Sequence, residues 1–102
     1  MKRTLLALAC LTLGAAPAAP EIVQRGRKFE PGVITLRRGE AVQFVNDDGQ
    51  LLHHAFLIDD RFNFDIGEQT PGARSTVRFT VPGEFMVLCG IHPRMKLAIR
   101  VE

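Results

Sequence analysis

A chain of 102 residues has room for one domain, and 13 basic against 11 acidic side chains leave no charge excess of the kind that nucleic acid or an anionic membrane attracts. Hydrophobic residues make up 46% of the chain, but part of that share sits at the very start. There Lys2 and Arg3 lead into an apolar run from Leu5 to Leu13, followed by Gly14 and the small-residue exit Ala16-Pro17-Ala18. A basic start, a short apolar middle and a small-residue end form the pattern of a secretory signal peptide, expected over residues 1–18. The run is too short for a membrane anchor, which needs about 20 apolar residues. Removal of this leader takes Cys10 and two of the 13 basic residues, so residues 19–102 carry 11 basic and 11 acidic side chains and one cysteine, Cys89. An exported domain this small usually needs a disulfide or a metal to supplement a thin core. A single cysteine cannot form an internal disulfide.

Beyond the leader the pattern has period two, interrupted by Gly and Pro, and no useful helical period. A first strand region is expected over Glu21 to Phe29. Ile34 and Leu36 share one strand face, ended at Arg38-Gly39-Glu40; Val42 and Phe44 share the next, ended at Asn46-Asp47-Asp48-Gly49. Leu52 to Ile58 forms another, with His53 and His54 inside it. Asp59 to Ala73 is a longer connection, and its Phe62, Phe64 and Ile66 are expected to pack over the body of the fold. Val77, Phe79 and Val81 alternate with Arg78 and Thr80 up to Pro82-Gly83. Then come Glu84 to Leu88, where Met86 reads as core filling, and a closing strand with Leu97, Ile99 and Val101 on one side and Lys96, Ala98 and Arg100 on the other. About seven short strands of this kind predict an all-β, Greek-key antiparallel β-sandwich.

The chemistry is concentrated in Cys89-Gly90-Ile91-His92-Pro93-Arg94-Met95. Taken singly, Cys89 reads as a small hydrophobe, Met95 as core filling and His92 as a loop residue. Spaced three apart behind a strand, they offer a thiolate, an imidazole and a thioether, the donors a redox copper ion takes in a trigonal site with one long axial bond. The remaining ligand is then a histidine from elsewhere, and the chain offers the pair His53-His54. Adjacent strand residues point to opposite faces, so only one of the two rings can reach the ion. A zinc ion would suit a Cys-His-His set but would give Met95 no purpose.

The order Phe-x-Pro, Ile-x-Leu, Gly-Glu, Val-x-Phe-x-Asn, histidine strand, Pro-Gly-x-Phe, ligand loop and closing strand runs across residues 29 to 101 and resembles the cupredoxins, or blue copper proteins. The ligand-loop spacing is similar to amicyanin and to small exported methylamine-utilisation-type copper proteins. This resemblance implies a cupredoxin-like domain over residues 19–102 with one copper ion cycling between +1 and +2. The implied ligands are His53, Cys89, His92 and Met95, with His54 as the alternative to His53. In the family the histidine ligand is usually followed by Asn; His54 occupies that place here, which favours His53.

The resemblance further implies a monomeric one-electron carrier of the bacterial periplasm rather than an enzyme. It would dock redox partner proteins near His92, with no nucleic acid and no membrane insertion. Ile91 replaces a proline common in that loop, and its restored N–H is expected to tune the thiolate. Arg94 puts a charge into the expected docking face, whose apolar part falls to Ile91, Pro93, Leu51 and Leu52. Two other readings use the same residues: a periplasmic copper carrier or storage protein, and a metal-free secreted β-sandwich that binds a protein partner. A cysteine hydrolase is disfavoured, since no helix start lies beside Cys89 to lower its pKa.

Overall fold

The computed structural model describes residues 18–102. Apart from Ala18, the signal peptide expected at residues 1–18 lies outside the described residues, as does Cys10. Nine strands follow: β1 (Glu21–Arg25), β2 (Lys28–Glu30), β3 (Val33–Leu36), β4 (Ala41–Asn46), β5 (Ala55–Leu57), β6 (Phe64–Asp65), β7 (Arg74–Arg78), β8 (Gly83–Cys89) and β9 (Lys96–Val101). They form two sheets, β2-β1-β4-β7 and β3-β9-β8-β5-β6, and the described residues include no helix.

The sandwich is mixed rather than wholly antiparallel. β1 pairs parallel with β4, and β3 parallel with β9. Both pairs join strands that are not successive in their own sheet, because the chain leaves the sheet and returns between them. Alternation within a strand fixes which face is buried but carries no sign of the partner's direction, so this feature was not readable from the pattern. The expected strand at Glu21 to Phe29 is a hairpin, with Arg25 opposite Lys28 and a two-residue turn at Gly26 and Arg27. Both turn residues have positive φ, 63° and 57°, the conformation whose twist matches the flanking strands.

Inward residues of the two sheets meet in one apolar core. Ile22, Phe44, Phe79, Val87 and Leu97 are fully buried, with Ile99 and Leu36 nearly so. The expected packing of the long connection is realised, since Phe62, Phe64 and Ile66 lie against this core. Phe62 and Phe64 flank Phe79 with ring centroids 5.4 and 5.7 Å away, within the range favoured for aromatic pairs. Met86 corrects the reading as core filling: it is 48% exposed. On β8 the alternation turns Phe85, Val87 and Cys89 inward and leaves Glu84 and Met86 on the outer face.

The difference between the two positions is measurable. Phe79→Ala is expected to destabilise the protein by about 3–5 kcal/mol, as loss of a buried aromatic ring does. Met86→Ala should stay within about 0.5 kcal/mol, as at an ordinary surface site. Denaturant unfolding of both variants checks the pair.

Candidate metal centre

At one end of the sandwich, β8 delivers Cys89 as its last residue, and the turn that follows carries His92 and Met95 before β9 begins. Met95 N–H donates to the carbonyl of His92 at 2.9 Å, closing the turn. His53 stands just before β5, where its backbone pairs with Gln69 in an isolated bridge of two hydrogen bonds, 3.2 and 2.7 Å. The strand expected from Leu52 is therefore shorter, starting at Ala55.

Three donor atoms converge. Cys89 Sγ lies 3.8 Å from His53 Nδ1 and 4.0 Å from His92 Nδ1, and the two nitrogens are 3.1 Å apart. Bonds of about 2.0–2.1 Å to imidazole and about 2.3 Å to thiolate, as zinc makes, would place such donors roughly 3.3–3.8 Å apart around one ion. The observed edges, 3.1, 3.8 and 4.0 Å, bracket that range to within about 0.2 Å. His53 and Cys89 are buried and His92 is half-buried. Met95, 1% exposed, packs in the core beneath the same turn. His54 points away: its Nε2 meets Asp65 Oδ1 and its ring lies over Gly90, where an added Cβ would come within 3.1 Å of His54 Nδ1.

The protonation pattern suits a ligand set. His53 Nε2 lies 2.8 Å from Asp48 Oδ2. Partial burial pushes the Asp48 carboxyl up, but the amides of Arg27 and Gly26 and the His53 ring outweigh it, and the net shift is downward. An ionised carboxylate only accepts hydrogen bonds. Nε2 therefore carries a proton, and in the neutral ring Nδ1 is the lone-pair atom that faces Cys89 and His92. Burial, followed by the charges of His53 and Arg27 and opposed by Asp48, lowers the His92 pKa, which favours the neutral ring a metal needs. Two such nitrogens facing each other at 3.1 Å repel unless a proton or a cation lies between them. Thiolate and imidazole donors together fit copper among the first-row metals.

The backbone amide that the structure places on Cys89 Sγ is that of His54, at 3.3 Å, and not that of Ile91. Neighbouring strands cause this, since Ala55 is the registered partner of Cys89 and His54 O also accepts from Gly90 N at 2.9 Å. Sequence reasoning also missed the support around His53. Asp48 accepts from the amides of Gly26 and Arg27, 2.8 Å each, as well as from the ring. Asn46 Nδ2 donates to the carbonyls of Leu51 and Gln69, 2.9 Å each, tying the loop before His53 to the bridge that holds it. Asn46 was visible as a turn residue and as part of the Val-x-Phe-x-Asn pattern and Asp48 only as a turn residue, and neither showed its role because their partners lie 5 to 23 positions away.

No protein-family model matches the chain. Among curated proteins it is similar to the copper-resistant cuproprotein CopI of Rubrivivax gelatinosus, 32% identical over 63 residues, which cover 62% of this chain and 38% of that protein. Among solved structures it is similar to the Cu-containing nitrite reductase NirK of Thermus scotoductus SA-01, with a TM-score of 0.78 and 34% identity. That match covers 86% of this chain and 23% of the reductase. A reduced, Cu(I) variant of amicyanin matches with a TM-score of 0.77 at 18% identity, over 88% of both chains. The chain thus spans well under half of the curated relative and under a quarter of the reductase.

Asp48→Asn removes the charge that fixes the His53 ring and is expected to weaken metal binding by about 10–100-fold, the usual cost of losing such a partner. Competition with a chromogenic copper(I) chelator would measure it. Chain topology and similarity to both amicyanin and the reductase agree that this is a cupredoxin fold, with a His53–Cys89–His92 cluster compatible with a type 1 copper site.

Proposed function

We propose that the protein is a periplasmic one-electron carrier with a type 1 copper site, in which His53, Cys89 and His92 are the close ligands and Met95 the weak fourth. The observation that carries this reading is the convergence of Cys89 Sγ with the two Nδ1 atoms at one end of a closed sandwich. Similarity to amicyanin in fold and to a copper-resistant cuproprotein in sequence supports it. The leader pattern of residues 1–18 supports export to the periplasm.

Copper in such a site supplies reversible one-electron redox chemistry. The chain's residues make that cheap to repeat. Asp48 and the Gln69 bridge hold His53 in one orientation, so the imidazole does not have to reorganise. The His54 amide donates to the Cys89 sulfur and offsets its charge. Buried Met95 and the core beneath it keep bulk water away from the inner side of the cluster. His92 is half-buried, while its neighbours Ile91 and Pro93 are exposed, which makes this ring the shortest way out for an electron.

Similarity to CopI favours a second reading, a carrier that binds copper in order to pass it on. Retention separates the two. Copper-loaded protein cycled repeatedly between ascorbate and an oxidant, with a copper(I) chelator present, is expected to keep its metal and its visible absorption. Loss of the metal to the chelator in the first reduction would favour the copper-passing reading. The same preparations test the ligand assignment, since His53→Ala should abolish the visible band and His54→Ala should retain it.

A further inference from the structure

Among the described residues, some cations pair with carboxylates and others do not. Arg25 pairs with Glu30 and Asp47, Arg61 with Asp59, Arg74 with Glu21, and Arg100 with Glu84 and Glu102. Arg27, Lys28 and Arg94 make no ion pair among the described residues, and these three line one open cleft together with Ile91, His92 and Pro93. All three are exposed.

No nearby acid makes an ion pair with these three cations. Asp48 is engaged by two amides and the His53 ring, Asp47 and Glu30 by Arg25, and Asp65 by His54 and the amide of Gly67. Arg27 also occupies a turn position with φ of 57°, where glycine, asparagine or aspartate is the ordinary occupant. A long cationic side chain therefore stands at a strained backbone position. The backbone amide of this same residue is fixed by Asp48, which in turn fixes His53, so the point from which the side chain springs is set relative to the cluster.

The resemblance already implies docking near His92; from this arrangement we infer that the docked protein partner presents a carboxylate-rich face. Arg27, Lys28 and Arg94 would steer and orient it, and Ile91 and Pro93 would supply the dry contact. This rests on the electron-carrier reading for its purpose but not for its detection. A formal balance of 11 basic and 11 acidic residues over residues 19–102 means that net charge cannot draw an acidic partner; only local segregation can. The molecule contains its own control. Arg37, Arg38 and Arg78 are also without carboxylate partners among the described residues, and they lie at the opposite end, where β4 begins and β9 ends.

Two measurements test the inference, one of which needs no metal. Poly-L-glutamate added to the protein is expected to shift amide NMR signals of Arg27, Lys28 and residues 91 to 94, and salt should erase the shifts. The triple variant Arg27→Gln/Lys28→Gln/Arg94→Gln should lose them, whereas Arg37→Gln/Arg38→Gln/Arg78→Gln should retain them. In the copper-loaded protein, oxidation of copper(I) by hexacyanoferrate(III), which is reduced to hexacyanoferrate(II), should slow at least about threefold as salt is raised through the screening range. With cationic tris-phenanthroline cobalt(III), reduced to cobalt(II), the same salt change should leave the rate unchanged or raise it. The first triple variant should flatten both dependences. Equal effects of the two triple variants, or shifts centred on Arg37 and Arg38, would overturn the inference. So would stronger binding to phosphatidylglycerol vesicles than to poly-L-glutamate, lost in the first variant. Failure to take up copper would refute the electron-carrier reading and leave the NMR result to decide this one.

Discussion

Three electron-rich atoms are held face to face at one end of an apolar sandwich, and most of the surrounding structure serves to keep them there. Left alone, a thiolate and two imidazole nitrogens at 3.1 to 4.0 Å would turn apart. Here each is anchored from behind. Cys89 ends a strand paired on both sides, His92 sits in a turn closed by Met95, and His53 is fixed by its bridge to Gln69 and by Asp48 on the far side of its ring. The donors are therefore organised before any metal arrives, and the cost of gathering them is met in folding. Such preorganisation is what the proposed electron-carrier role requires.

Asp48 links two otherwise separate parts of this arrangement. The same carboxylate accepts from the tip of the β1–β2 hairpin and from a ring of the cluster. The hairpin tip carries Arg27, whose charge is felt at His92. The position of the first histidine and the charge beside the second thus depend on one side chain. This coupling gives a physical reason for an arginine in a turn that ordinarily selects glycine or asparagine.

Much of this was legible in the sequence because it is local. The thiolate, imidazole and thioether lie within seven residues, and the turn that follows β8 brings the Cys89 sulfur and the His92 ring to one place by chain connectivity alone. Strand alternation is equally local, and it placed Leu97, Ile99 and Val101 inward as observed. It also sent the rings of His53 and His54 to opposite sides, as they are found. What could not be read depends on pairing at a distance. The parallel partners of β1 and β3, the amide of His54 on the Cys89 sulfur and the role of Asn46 each join residues whose adjacency exists only after the two sheets close. Met86 was misjudged for a related reason: a methionine's apolar character says that it can be buried, while register decides whether it is.

The account stands or falls on a cysteine thiolate bound to copper. Adding copper(II) to the purified protein and recording visible absorption with electron paramagnetic resonance tests this most directly. An intense thiolate-to-copper charge-transfer band, lost in a Cys89→Ser variant, is the predicted result. A colourless protein, or one whose copper signal is unchanged by that substitution, would contradict it.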